Sequence, residues 1–316
     1  MDQTTIIINR VLPILFLIIL GYWIRQRKFL AESTIEDLRK MAVNLALPAV
    51  LFLSFLEIEL KSTYIVVFVV MFSLCLGMFG FGVLLKRRLQ IQYSYFPFLM
   101  TGFEYGMLGV SLFGAAYGLD NIGYIAVVDL GHEIFIWFVF LALLLMKRDG
   151  LQNSGQLLRA FSQSPVIIAI LAGIFFNIVD AQEFLYERPV TGALMKALEF
   201  LGNLTVPLIL IIVGYGIKFD RYGLKDAIMV TVLRLSLLIP LALVLNNLLI
   251  REILGMEKLF EHALFMLLIL PPPFIIPLYM RSGMIEERRY INNTLTLHTV
   301  VSITIFAVYF VLNPGI

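Results

Sequence analysis

The chain has 316 residues, of which 60% are hydrophobic and only 15% charged, with a formal net charge of +2. A soluble domain carries roughly a quarter charged residues, so a chain this apolar would expose greasy surface in water and takes lipid as its solvent. The small net charge gives no case for nucleic acid, and the single cysteine excludes an internal disulfide framework or a thiolate cluster.

A bilayer core takes about 20 mostly apolar residues per helix, and ten segments qualify. The first, 6–24, follows no basic stretch and precedes no small-residue cleavage site, so it reads as an uncleaved span; it holds Pro13 and Gly21. The second, 41–57, contains Asn44-Leu-Ala-Leu-Pro48. The third, 63–85, carries Cys75 as a small hydrophobe. The fourth, 95–117, is rich in glycine, with Gly102, Gly106, Gly109 and Gly114 around Glu104. The fifth, 121–146, carries Asp129, His132 and Glu133. The sixth, 164–180, has Pro165 and Gly173, and the seventh, 193–216, has Asn203-Leu-Thr-Val-Pro207. The eighth, 226–249, contains Arg234. The ninth, 260–280, contains Leu270-Pro271-Pro272-Pro273-Phe274, and the tenth, 290–312, opens on Asn292 and Asn293 and holds His298.

Lysine and arginine orient these spans, because cytoplasmic loops hold them in excess. Arg25, Arg27, Lys28, Arg39 and Lys40 flank the first connection, and Lys86, Arg87 and Arg88 fill the third. Lys147, Arg148 and Arg159 fall in the fifth, Lys218, Arg221 and Lys225 in the seventh, and Arg281, Arg288 and Arg289 in the ninth. The even connections are poorer. The pattern predicts cytoplasmic odd-numbered loops and both termini outside.

The two halves resemble one another. Both Asn-Leu-x-aliphatic-Pro motifs lie 159 residues apart, the Pro13/Gly21 pair recurs as Pro165/Gly173 at 152, and Tyr124-Ile125 with His132 recurs as Tyr290-Ile291 with His298 at 166. Three matches in the same order predict a duplication, 1–150 and 151–316. Five spans per copy is an odd number, so the second copy enters from the opposite side, as in the inverted repeats of secondary transporters.

Such carriers bind substrate near the midplane at interrupted helices in matching positions. The fourth and ninth spans match here. Glycines loosen the fourth, and three prolines remove three donors from the ninth. The free N–H ends of two broken, crossing helices are suited to an anion such as a carboxylate. Gly102, Glu104, Gly106, Gly109, Pro271, Pro272 and Pro273 are therefore the expected substrate-binding residues.

Ionisable side chains within spans are functional candidates by default. Glu104 is open to several readings: a proton carrier, a cation partner, a neutral carboxylic acid, or an acceptor for loosened backbone. Asp129, His132 and Glu133 share a helix face at i, i+3 and i+4 and suit an ion or proton relay or a structural pair, and His298 is the repeat mate of His132. Arg234 suits either attraction of an anion or pairing with an acid. Asn44, Pro48, Asn203 and Pro207 form the paired motif, and the asparagines suit ties between helices. No phosphate-binding loop, His-Glu-x-x-His or serine elbow is present, so no enzyme, nucleotide motor or cofactor is expected. The chain has three histidines and one cysteine, so a metal centre is not expected either.

Taken together, Asn44–Pro48 and its copy Asn203–Pro207, the glycine-rich fourth span, the Asp129-Leu-Gly-His-Glu133 run and the prolines at 271–273 make the chain similar to the auxin efflux carrier family. These are the bacterial relatives of plant PIN proteins, within the bile acid/arsenite/riboflavin transporter superfamily. The resemblance covers essentially the whole chain. It implies a fold like the bacterial sodium–proton antiporters, with spans one, two, six and seven as a scaffold that often forms a homodimer. Spans three to five and eight to ten would be a moving transport domain, crossing at four and nine. It implies elevator-like transport of a small organic anion across the bacterial cytoplasmic membrane. The family's Gly-x-Asn-x-Gly is here Gly102-Phe-Glu-Tyr-Gly106. An ionised Glu104 would repel a carboxylate, so Glu104 is protonated, couples a proton, or the substrate is an inorganic ion, a cation or a neutral solute; a non-transporting membrane sensor is the remaining alternative.

Overall fold

The computed structural model describes residues 3–149, 162–218, 220, 223–281 and 283–313, and all regular structure among them is helical. The expected repeat boundary at 150–151, together with Arg159 and Arg221, lies outside the described residues. In chain order the elements are α1 (Gln3–Gln26), α2 (Glu32–Glu57), α3 (Thr63–Arg88) and the short α4 (Phe96–Leu99), then α5 (105–117) and α6 (Leu119–Arg148). The second half has α7 (Pro165–Ile178), the short α8 (Gln182–Glu187), α9 (Pro189–Gly216), α10 (Leu224–Ile253), α11 (Lys258–Ile269), a 3-10 turn Ile276–Tyr279 and α12 (Ile285–Leu312).

Among the described residues, six helices are long and apolar enough to cross a membrane: α2, α3, α6, α9, α10 and α12. Shorter apolar helices run over Val11–Gln26 and Pro165–Ile178. The two remaining segments expected to span, 95–117 and 260–280, are interrupted. The fourth is broken between Leu99 and Tyr105, and the ninth leaves helix at Leu270 and regains only a 3-10 turn at Ile276. Boundaries also shift. The second span begins at Glu32 rather than 41, because Glu32–Met41 forms a polar, amphipathic first part of α2.

Proline explains where the long helices deform. A proline at position i removes a donor and crowds the carbonyl at i−4. Pro48 crowds Asn44, and α2 widens into a π turn over Ala42–Ala46. Pro207 crowds Asn203, and α9 breaks at Leu204. Asn44 and Asn203 are exposed and make no side-chain hydrogen bond among the described residues, so they do not tie helices together. The motif marks a local deformation of the helix instead.

Helix α1 packs against α9, α2 against α7, α3 against α6, and α10 against α12. Glycines set the distance of three of these pairs. A Cβ on Gly21 would overlap the Ile211 carbonyl and stand 2.8 Å from the Tyr215 nitrogen. One on Gly173 would stand 2.7 Å from the Phe52 carbonyl oxygen and 3.3 Å from the Leu56 nitrogen, and one on Gly131 would overlap the Phe68 carbonyl. Such close backbone approach is how helices associate where no hydrophobic effect drives them together. Cys75 is fully buried and free.

Adding a methyl at these contacts forces the backbones apart. Gly21→Ala is expected to cost roughly 1–3 kcal/mol or more and to lower the unfolding temperature of the detergent-solubilised protein. Gly80→Ala, where a Cβ would meet nothing within 4 Å, is the control expected to leave that temperature unchanged.

Candidate functional site

The two interruptions lie against each other. The Glu104 N–H donates to the Pro271 carbonyl at 2.8 Å, and Gly102 packs on the Pro273 ring. Gly102 has φ +72°, and a Cβ there would come within 2.8 Å of Pro273 Cγ, so this position requires glycine. Where a helix is interrupted, the half ending there presents carbonyls and the half starting there presents N–H groups. Both kinds of end are found at this crossing.

A single side chain meets each kind. Glu104 accepts from the Phe274 N–H at 2.6 Å through Oε2 and from the Met107 N–H at 3.3 Å through Oε1. Its carboxylate therefore caps the N-terminus of α5, where the helix dipole is positive, and also takes the Phe274 N–H just ahead of the four-residue turn Ile276–Tyr279. Arg234, fully buried on α10, donates to the carbonyls of Leu99 (3.3 Å), Leu270 (3.4 Å) and Gly102. Its guanidinium sits on the last carbonyls of α4 and of α11, the second of which is long enough to have a negative dipole end, and lies 5.0 Å over the Phe103 ring. The expected roles of Arg234 are corrected here: it neither lines the cavity below nor pairs with an acid. Guanidinium is the side chain best able to serve several carbonyls at once, since its donors form a rigid fork.

His132 fastens the break to α6. Its Nε2 accepts from the Phe103 N–H at 2.8 Å, so Nδ1 carries the ring proton and donates to Asp129 Oδ1 at 2.7 Å. Both nitrogens are engaged, and the Asp129–His132 pair is buried. Asp129, His132 and Glu133 lie close enough to hold a metal ion, but an ion would have to displace one of those two hydrogen bonds. Glu133 accepts from Trp137 Nε1 at 2.8 Å. His298, the expected mate of His132, is buried beside the Ile269 carbonyl and meets no backbone N–H as His132 does. The asymmetry has a simple cause: the second break opens on Pro271-Pro272-Pro273, which has no N–H to offer.

A cavity of about 850 Å³ leads to this crossing. Arg25, Lys40, Lys218 and Arg289 line it at its mouth, and Glu104, Gly106, His132, Glu133 and Pro273 line it at depth. Val43, Leu47, Phe103, Trp137 and Phe274 give it apolar and aromatic walls, and Asn44, Asn292, Asn293 and Thr296 add polar ones. Gly102, Gly109, Pro271 and Pro272 are buried within the crossing and do not line the cavity; nor do Asp129, His298, Pro48, Asn203 or Pro207. Sequence reasoning missed Phe274 and Trp137. Phe274 is the first residue after three prolines with an N–H to give, and Trp137 stands four residues beyond Glu133 on one helix.

Residues 6–310 match the family profile described as "Membrane transport protein". The chain belongs to that family, the auxin efflux carriers. This auxin efflux carrier family member is 28% identical over 232 residues to an "Uncharacterized transporter" of Methanothermobacter thermautotrophicus, covering 71% of this chain and 73% of that protein. Membership makes the chain a multi-pass membrane transport protein and not an enzyme.

The crossing depends on Arg234. Arg234→Met leaves three buried carbonyls without that donor, which is expected to cost roughly 3 kcal/mol or more and to lower the unfolding temperature in detergent. Arg251→Ala, which removes an exposed pair with Glu261, is expected to stay within about 0.5 kcal/mol of the parent.

Proposed function

We propose that the chain is a secondary carrier of a small organic anion, built from two inverted five-span repeats that cross the cytoplasmic membrane ten times with both termini outside. The cavity then opens to the cytoplasm, and transport is of the elevator type, with spans three to five and eight to ten moving against a scaffold of one, two, six and seven.

The packing supports the repeat. Gly173 is Gly21 advanced by 152 residues, and the backbone atoms Gly21 approaches, on Ile211 and Tyr215, are those of Phe52 and Leu56 advanced by 159. The offset of 152 is that of the Gly21/Gly173 pair itself, while the offset of 159 comes from Asn44–Pro48 and Asn203–Pro207, which take no part in these contacts. The pairing of α1 with α9 matches that of α7 with α2 when the halves are exchanged, and α3 with α6 matches α10 with α12. A pseudo-two-fold axis in the membrane plane gives both relations and provides for alternating access.

One observation carries the substrate reading: two N–H ends converge on one point, and a carboxylate already fits there, that of Glu104. Arg25, Arg39, Lys40, Lys218 and Arg289 line the cavity against Glu36 and Asp220, and the excess of cations in this part of the lining supports attraction of an anion. Aromatic walls support an organic body behind the carboxylate. A cation carrier is the second reading, favoured by Glu104 and Glu133 lining the same cavity.

Purified protein in liposomes is expected to take up labelled phenylacetate or malonate saturably under an imposed gradient, at least about tenfold above empty liposomes. If tetraethylammonium moves and no organic acid does under any gradient, the anion reading fails and the cation reading replaces it.

A further inference from the structure

Glu104 occupies the place in which the proposed substrate would bind. Its two carboxylate oxygens take the Phe274 and Met107 N–H groups, the donors that start the two resumed segments. The carboxylate is buried and lines the cavity. An incoming carboxylate therefore meets a filled site and a like charge. Two carboxylates sharing one pair of donors cannot both stay ionised at low cost. Something must be added before the second one enters, and the smallest addition that removes one negative charge is a proton.

We propose that Glu104 is a tethered anion that proton binding releases, so that the carrier moves one proton with each carboxylate. The inference rests on the anion reading above and assigns the coupling ion to it. In the resting state the Glu104 carboxylate neutralises the two N–H ends. A proton arriving through the cavity bonds to a Glu104 oxygen, which then donates instead of accepting and gives up its hold on one or both N–H groups. The substrate carboxylate takes those N–H groups in its place. The charge at the crossing is the same before and after: one carboxylate on two N–H ends, with Arg234 unchanged on the carbonyls. The moving body thus carries the same net charge with or without cargo, and proton and anion together cross as an electroneutral pair. Release runs in reverse: loss of the proton restores the charge on Glu104, which returns to the N–H ends and expels the substrate.

The groups that face Glu104 fit this exchange. From α2, Arg39 lines the same cavity and acts on it through space, itself paired with Glu36 at 3.1 Å. From α6 come Glu133, held by Trp137, and the Asp129–His132 pair, both of whose polar contacts are internal to the fold. From α10 comes Arg234, committed to three carbonyls. Lys218, following α9, and Arg289 of α12, 3.4 Å from Asp220, stand at the mouth. Apart from Glu104, no carboxylate among the described residues accepts from both resumed segments.

The chain has two tryptophans, and Trp137 lines the cavity, so Trp23→Phe leaves a single fluorescent reporter of binding. Phenylacetate, ionised throughout, is titrated into that protein in detergent between about pH 6 and pH 8. Proton linkage predicts that binding weakens by up to about tenfold per pH unit. In Glu104→Gln, which keeps the shape and loses the charge, binding is expected to vary by less than about twofold over the same range. A second measurement needs no variant at the site: in weak buffer with a pH dye, the parent is expected to take up about one proton per phenylacetate bound. Binding that is equally flat with pH in parent and variant, or that takes up no proton, overturns the coupling while leaving the anion carrier standing. No binding of phenylacetate or malonate at any pH overturns the anion reading and the coupling with it.

Discussion

Two helices interrupted in the same place leave four exposed backbone ends, two offering N–H groups and two offering carbonyls. In lipid or in a packed bundle each such end costs free energy unless a partner meets it. Here Arg234 takes the carbonyl ends and Glu104 takes the N–H ends. At α5 and α11, the two pieces long enough to have a dipole, each charge faces the end it complements, an arrangement in which partly buried geometry is worth up to about 2 kcal/mol. The other features of the crossing depend on this balance. Gly102 brings the two breaks together, the Glu104 N–H to Pro271 carbonyl bond joins them, and His132 anchors the first break to α6 through the Phe103 N–H.

The two charges differ in how they can change. Arg234 is fully buried, its guanidinium does not deprotonate in ordinary conditions, and it lies away from the cavity. It is a permanent part of the frame. Glu104 is at the cavity, and in the proposed exchange a proton neutralises it and a substrate carboxylate replaces it. A fixed cation on one pair of ends and an exchangeable anion on the other would then give a site that is always neutralised, by its own side chain or by its cargo. That meets a general demand on alternating access: a buried site must not carry an uncompensated charge while it crosses.

Much of this could be read from the sequence. The apolar segments, the glycine-rich fourth span, the prolines at 271–273 and the Asp129–His132 spacing all rest on local rules. Six of the ten expected spans are helices long and apolar enough to cross, and the two breaks fall where the glycines and prolines stand. The proposed repeat rests on three motifs that keep their order in the sequence. What was not legible depended on which backbone atoms three-dimensional packing brings together. The partner of Arg234 proved to be three carbonyls from two distant segments, and no spacing in the sequence announces that. Asn44 and Asn203 looked like interhelical ties and instead mark the turn that a following proline deforms. His298 looked equivalent to His132, but the prolines that break the ninth span also remove the donor that a histidine there would need. Glu104 was recognisable as the anomalous charge of the crossing; that it holds both N–H ends at once was not.

The central claim is that these two N–H ends are the binding site for a substrate carboxylate. A structure of the complex with a bromine-substituted phenylacetate, located by the anomalous signal of the bromine, tests it directly. The account predicts carboxylate oxygens about 3 Å from the Met107 and Phe274 nitrogens, with the Glu104 side chain withdrawn from at least one of them. A bound ligand elsewhere in the cavity, with Glu104 still holding both N–H groups, would contradict it.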